Sequence, residues 1–380
     1  MSIDATVRSR RLSSVRARGS PTTLKRSSPL RQPVKLARSK VTTSVVAGSI
    51  ERLPKWLLCI PLVTQWLWLG LKYRSVTLPS VVNPAIANGG LAGESKLACL
   101  NCIGAEHAEM VARTVAVRPG DDADAVRRGA GLLFPLIVKP DIGWCGYGVR
   151  RVDDAKQLTA YAKAFPADAT YLVQEFIDAP GEAGLFYVRK PDAIAGQVVA
   201  VALRHQPQVV GDGVQRVWQL AAADRRLAGR DIPEATAMRL PEAGEVVLLA
   251  TVASLRVGGR YEDGARLVSA ALSARVDRIA CSMGGFTFGR LDVKFDTDGD
   301  LQAGQFRIIE VNGAGSEAIQ YWDPATPMVH AFAGIFNKQS ELFALADRWR
   351  AQGRRPVGIV RLAQAWLTQQ RLISRYPPSN

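Results

Sequence analysis

The sequence predicts an α+β fold, on three observations. Strand-like and helix-spaced segments are mixed along residues 94–330; an apolar strand ends in a lysine just before a cluster of glycines; and two later strands carry polar residues at alternate positions of otherwise apolar runs. With 380 residues and 47% hydrophobic content, the chain can bury one large core or two ordinary ones.

The N-terminus adds nothing to that core. Eleven of the 49 Lys and Arg lie in residues 1–50, where Asp4 is the one acid, and they account for most of the net charge of +15. This Arg-, Ser- and Pro-rich composition predicts a disordered basic tail over 1–48, as in a transit peptide, a polybasic arm or a plain solvated tail. Because the excess charge is confined there, no nucleic-acid partner is expected. Residues 49–93 form an apolar, Trp-rich segment. Its run WLLCIPLVTQWLWLGL (56–71) is broken by Pro61 and Gln65 and is shorter than the roughly 20 apolar residues of a spanning helix. It is expected to pack on the main domain as a reduced N-terminal lobe. The alternative is a bilayer-interface element, Trp56, Trp66 and Trp68 beside Lys55, Lys72 and Arg74, giving peripheral membrane contact through residues 1–75.

LPSVVNPAIANGGLAGE (78–94) reads as an irregular connector. SKLACLNCIGAEHAEM (95–110) has helical spacing with Ser95 as N-cap. A strand (VARTVAV), a helix (DDADAVRRGAGLL), a strand (LIVK), a helix (DDAKQLTAYAKAF) and a strand (TYLVQEFI) follow. FYVRKP, GQVVAVALR and GVQRVWQLA read as strands, and 245–283 as largely helical. FGRLDVKFDTDGDLQAGQFRIIEVN reads as two strands joined by a turn at its Asp-Gly step, and 339–350 and 357–375 as helices. The expected division is a tail (1–48), the Trp-rich segment (49–93), a main domain (94–330) and C-terminal helices packed on it (331–380). Cys59, Cys99, Cys102, Cys145 and Cys281 are too few and too irregular for a disulfide framework, so a reducing, cytoplasmic setting is expected. The lone CxxC and the isolated His107, His205 and His330 lack zinc-ligand spacing; Cys99 and Cys102 read as half-buried helix positions.

In FPLIVKPDIGWCGYGVRRV (134–152), Lys139 ends a strand and Gly143, Gly146 and Gly148 follow it. Glycines permit close backbone approach and positive φ, and their N–H groups can face anionic oxygens. A phosphate chain is the natural guest, and a plain glycine-rich turn the alternative. The spacing is neither GxGxxG nor GxxxxGK[ST]; in the latter the lysine follows the glycines. Here it would approach from a sheet while the loop folds over as a flap. Further on, GRLDV holds Arg290 and Asp292, and IIEVN holds Glu310 and Asn312. Residues two apart on a strand share a face, and two carboxylates with an amide oxygen form a hard ligand set suited to Mg²⁺ on nucleotide phosphates. Leu291, Val293, Ile308, Ile309 and Val311 demand a buried face, which argues against a solvated edge hairpin.

In that order, from the strand lysine and glycine flap through LVQEFI to GRLDV and IIEVN, these motifs resemble the ATP-grasp superfamily. The likeness is nearest to D-alanine–D-alanine ligases and glutathione-synthetase-like carboxylate–amine ligases, over roughly residues 94–325. The resemblance implies an ATP-grasp fold, two α+β lobes clamping ATP. It also implies roles position by position: Lys96 and Lys139 on the nucleotide phosphates, Gly143, Gly146 and Gly148 in the flap, and Gln174 to Ile177 as the adenine hinge, with Glu175, Phe176 and Ile177 in it. Glu182 would bind the ribose hydroxyls, and Asp292, Glu310 and Asn312 would hold Mg²⁺, as two ions, or Mn²⁺ in its place. Arg290, with Lys139, would act on the transferred phosphoryl group. VVGDG (209–213) resembles a stretch that precedes a strand and helix of the central lobe in amino-acid ligases. Two features depart from the pattern. The α/β domain that usually precedes the grasp module is replaced by residues 49–93. The loop NGAGSEAIQYWDP, where Gly313, Ser316 and Glu317 are candidate substrate contacts, lacks the Ser-Pro-Gly turn of D-alanine ligases, which argues against D-alanine.

The implied activity is an ATP- and Mg-dependent carboxylate–amine ligase that forms an amide through an acylphosphate, with small-molecule carboxylate and amine substrates. No Ser/His/Asp or Cys/His arrangement points to a protein nucleophile. The alternatives are a kinase-like phosphotransferase on the same fold and a membrane-associated nucleotide-binding regulatory module; the full set of Arg290, Asp292, Glu310 and Asn312 argues against the latter. A homodimer is in keeping with the proteins the chain resembles.

Overall fold

The Trp-rich run forms α1 (Lys55–Lys72), apolar on every side. Its inward residues pack on the rest of the chain: Leu69 is fully buried, and Trp66 meets Phe343 edge-on with ring centroids 4.9 Å apart. Trp56, Ile60, Val63, Leu67, Trp68 and Leu71 on the other side are exposed. The helix thus packs on the domain along one side and keeps an apolar outer face. Among the described residues no helix is long and apolar enough to cross a membrane. The computed structural model describes residues 50 and 53–379, so the tail expected over 1–48 lies outside the described residues.

The connector makes two 3₁₀ turns, Leu78–Val82 and Ala87–Gly90. Buried Asn83 ties them to the later strands, its amide donating to the Gly89 and Phe288 carbonyls. Ser95 caps α2 (Lys96–Asn101) by accepting from the Ala98 N–H. The expected longer helix stops there; Gly104, a poor helix former, separates it from a 3₁₀ turn at Ala105–Met110.

The first lobe comprises β1 (Thr114–Val117), α3 (Ala123–Gly129), β2 (Leu136–Pro140), β3 (Arg150–Val152), α4 (Ala155–Ala164) and β4 (Tyr171–Glu175). Its antiparallel sheet has the order β1-β4-β2-β3, and Leu158 and Tyr161 of α4 pack on Val138 and Val173 beneath it. The second lobe begins with β5 (Gly181–Val188) and β6 (Gln197–His205). An excursion of β7 (Gln208–Val210), α5 (Val217–Ala223), α6 (Glu234–Ala237) and β8 (Val246–Leu248) follows, then β9 (Arg260–Asp263) and α7 (Ala270–Ser282). The hairpin completes it as β10 (Phe288–Phe295), α8 (Asp298–Gln302) and β11 (Arg307–Asn312). The five-stranded order is β11-β10-β5-β6-β9, with Leu272, Val276 and Ile279 of α7 packed on its buried face. The chain closes with α9 (Met328–Ala351) and α10 (Ile359–Ile373). This is the α+β, two-lobed arrangement expected from the motifs.

Several expected elements differ. GVQRVWQLA is helical in α5, not a strand, because Val217 and Ala221, one turn apart, bury together against Val209 and Val247. Residues 245–283 are helical chiefly in α7. Before it lie β8, a 3₁₀ turn at Leu255–Val257 that ends at Gly258 with φ of 94°, and β9, which pairs with β6. The hairpin connection is no tight turn: Thr297 caps α8 reciprocally with Asp300, and Asp298 and Gly299 form its first turn. α9 begins at Met328, just after Pro327, earlier than the expected residue 339.

Candidate active site

The β10–β11 register sets Asp292 opposite Glu310 and Arg290 opposite Asn312, with the ladder irregular just beyond Asp292. Asp292 is 1% exposed. The Arg290 guanidinium grips it at 2.6 and 3.1 Å, Arg204 donates to it at 2.9 Å, and the Asn312 amide does so at 3.3 Å. Glu310 forms an ion pair with Lys96 at 2.8 Å. Burial opposes ionisation of Glu310, but Lys96 and Lys139 outweigh it and hold the carboxyl well below the usual range.

Lys139 comes to the same cleft from the other lobe, at the end of β2. Its ammonium donates to Gln174 Oε1 and to the Ile309 carbonyl, both at 2.9 Å, and it is 5% exposed. The loop after it is fitted closely to the strand: Gly148 has φ of 71°, and a Cβ there would stand 2.8 Å from the Pro140 ring. Arg256 donates to the Cys145 and Gly146 carbonyls and lies over the Tyr147 ring; Ser379 donates to Gly146 and Tyr376 to Ile142. Lys96 donates to the Gly143 carbonyl at 3.3 Å.

A cleft of about 270 Å³ is lined by Lys96, Lys139, the glycine loop, Arg290, Asp292, Glu310 and Asn312, together with Ser316 and Glu317. Gly313 packs backbone to backbone on Gly90: a Cβ at Gly90 would lie 2.5 Å from the Gly313 Cα. The Ala314 and Gly315 N–H groups donate to Gly89 and Gly90, so the connector holds the loop in place. Other expected residues sit outside this cleft. Glu175 is held by Arg113 and Arg307, and Phe176 lies under Arg151. Ile177 accepts from the Ala179 N–H. Glu182 is buried in ion pairs with Arg204 and Lys294, both at 3.2 Å, and these cations keep its carboxyl low against the burial that would raise it.

Sequence reasoning missed three contributors, Arg204, Lys338 and Gln369, and gave a fourth, Gln174, only a place in the hinge. Arg204 ends the apolar run VVAVAL, a visible signal, and bridges Glu182 and Asp292. Gln174 orients Lys139. Lys338 on α9 reaches the Ser316 carbonyl, and Gln369 on α10 lines the cleft. The last two are ordinary polar positions on amphipathic helices, and nothing local distinguishes them.

Two carboxylates and the Asn312 amide oxygen make a donor set that suits Mg²⁺. No group of three or more His, Cys, Asp and Glu that could hold a metal occurs among the described residues. Phosphate oxygens and water would have to complete the shell, which is the usual habit of Mg²⁺.

Burial depresses the Lys139 ammonium to about 8, with Glu310 pulling upward and Lys96 downward. A phosphate group bound at Lys139 would favour the charged form. Affinity for free nucleotide should thus be nearly flat below pH 7 and fall by up to about tenfold per pH unit above pH 8. Titration calorimetry across pH 6.5–9.5 checks this, with Lys139→Met expected to bind more weakly and without that slope.

No family model matches the chain. In sequence it is similar to the glutathione biosynthesis bifunctional proteins GshAB of Streptococcus agalactiae, 31% identical over 116 residues, and Streptococcus mutans, 33% identical over 119 residues. Each match takes in 30% of this chain but only 14% and 15% of the respective relative, so the chain spans a small part of their length. Among solved structures, D-alanine–D-alanine ligase from Bacillus anthracis aligns over 68% of either chain at 13% identity, with a TM-score of 0.40. A bifunctional glutathione synthetase from Pasteurella multocida aligns over 64% of this chain and 36% of its own at 17% identity, with a TM-score of 0.34. Over nearly a third of its length, then, the chain is similar to bifunctional glutathione-biosynthesis proteins.

Proposed function

We propose that the protein is an ATP-dependent ligase of ATP-grasp type that joins a small carboxylic acid to an amine. The observation that carries this reading is the cleft itself: Lys139 from one sheet, facing Arg290, Asp292, Glu310 and Asn312 on the other, beneath a glycine loop. These are cations and oxygen ligands, the groups a phosphoryl transfer requires.

In the first step a substrate carboxylate oxygen bonds to the γ-phosphorus of ATP as the bond to the β-bridging oxygen breaks, giving an acylphosphate and ADP. The amine nitrogen then bonds to the acyl carbon, inorganic phosphate leaves, and the nitrogen loses a proton. Lys96 and Lys139 neutralise the phosphate chain, and Arg290 meets the charge on the transferring group. Asp292, Glu310 and Asn312 would hold Mg²⁺, which when bound supplies further charge neutralisation at the phosphate oxygens. Lys96 and Arg204 now occupy the carboxylates, so ion pairs must rearrange as metal and nucleotide enter.

The test is ADP formation by the purified protein with Mg²⁺ and pooled amino acids and small carboxylic acids. Wild type should release ADP only with substrate, and Glu310→Ala should lose at least about 10²-fold in rate. A stable phosphorylated product formed without an amine would replace the ligase by a phosphotransferase. Nucleotide binding without turnover in any pool would move the reading to a regulatory module.

A further inference from the structure

Beside the phosphate cleft lies a second cavity of about 300 Å³, at the small end of the roughly 300–1,000 Å³ range of small-molecule sites. The two cavities share Trp144, Tyr261 and residues 315–317, so one leads into the other. Its far walls are apolar: Leu58, Leu62 and Trp66 of α1 face Ile335 and Leu342 of α9. Of its polar groups, Ser254 and Arg256 hold the glycine loop, while Glu317 and Lys338 lie near Arg290. Ser316, 7% exposed, has a hydroxyl without a hydrogen-bond partner among the described residues, as does Gln339 Oε1. Lys338 donates to the Ser316 carbonyl and has no ion-pair partner among the described residues. Arg290 and Lys338 lie against the same Phe186 ring, 5.7 and 5.9 Å from its centroid. Glu317 is the one acid among the described residues that line this chamber.

Unmatched polar groups beside a lysine, at the mouth of an apolar chamber, are costly unless a ligand completes them. The geometry points to this chamber as the pocket for the substrate acid, a carboxylic acid with a compact apolar body. Its carboxylate would sit between Lys338 and the Ser316 hydroxyl, within reach of a phosphoryl group at Arg290. Burial and the Arg290 charge bring the Lys338 ammonium down to about 7, partly offset by Glu317, so an arriving carboxylate would gain by restoring its charge. The assignment rests on the ligase reading above and gives α1 a part in the site. A short apolar helix can wall an apolar substrate without supplying polar contacts of its own.

The experiment offers acetate, butyrate, octanoate, phenylacetate, D-alanine and glutamate to the full chain with ATP, Mg²⁺ and hydroxylamine, which traps an acylphosphate as a hydroxamate. Octanoate and phenylacetate should outperform acetate, D-alanine and glutamate by at least about tenfold in kcat/KM. Lys338→Met should raise KM for octanoate about tenfold or more and leave the nucleotide Kd unchanged. Leu62→Trp should abolish octanoate use, and Leu62→Ala should shift preference toward longer acids, a gain that misfolding cannot produce. Equal or better use of D-alanine or glutamate, or chain-length preference unmoved by both Leu62 variants, would overturn the pocket assignment and leave the ligase standing. Octanoate binding that is measurable by calorimetry in the presence of a non-hydrolysable ATP analogue, and lost in Leu62→Trp, would support the pocket even if turnover of every acid failed and took the ligase reading with it. No octanoate or phenylacetate binding at all would overturn the pocket.

Discussion

Arg290→Ala is expected to lower ADP formation by about 10²–10³-fold while nucleotide affinity changes only a few-fold. The asymmetry follows from where the guanidinium is anchored. Two of its N–H groups hold Asp292 and a third reaches the Glu317 carbonyl, which places the charge at the junction of the candidate cleft and the apolar chamber. That is where negative charge would grow during transfer, whereas the phosphates of bound ATP would be met by Lys96 and Lys139. The variant should fold, because Asp292 keeps Arg204 and Asn312 as partners. Arg290→Lys restores a charge but not the two-point grip, so it should recover only part of the rate. Single-turnover ADP formation measured alongside the nucleotide Kd decides the matter, and equal losses in both would remove Arg290 from the transfer step.

The candidate cleft was legible in sequence where its residues are local. Polar residues at alternate positions in an apolar strand have few explanations, and the cross-strand pairing of Asp292 with Glu310 follows from the hairpin's shared face. The strand lysine before a glycine loop was legible for the same reason. The rest depended on distance in sequence. Lys338 comes back onto Ser316 from α9, 22 residues on, and Tyr376 and Ser379 strap a loop more than 200 residues earlier, contacts that only tertiary packing creates. The errors had the same origin. GVQRVWQLA carries β-branched and aromatic residues that suggest a strand, yet its apolar side chains recur at helical spacing and only the small core around Val209 selects between the two. Residues 245–283 lack a sustained period before Ala270, and the glycines at 258 and 259 break the backbone where a helix was expected.

Asp292 is expected to be the most damaging single position for both stability and rate. Replacing it with alanine leaves Arg290 and Arg204 facing one another across a buried space without their shared carboxylate, a loss of about 3–5 kcal/mol when one partner of a buried charged network is removed. A fall in Tm on the order of 10 °C is the expected reading. Glu310→Ala should cost less, since Lys96 retains the Gly143 carbonyl and part of its access to water. Asp292→Asn separates folding from chemistry: the amide oxygen can still accept from the two arginines, so most of the Tm loss should be recovered. An amide contributes no charge to a metal site, however, so ADP formation should remain at least about 10²-fold down. Thermal unfolding and ADP release of wild type, Asp292→Asn and Asp292→Ala, measured with and without Mg²⁺ and nucleotide, test both halves. Ligand-induced stabilisation should survive in wild type and shrink in Asp292→Asn. Full activity in Asp292→Asn would assign Asp292 to holding the two arginines in place and leave Glu310 and Asn312 as the metal-binding pair.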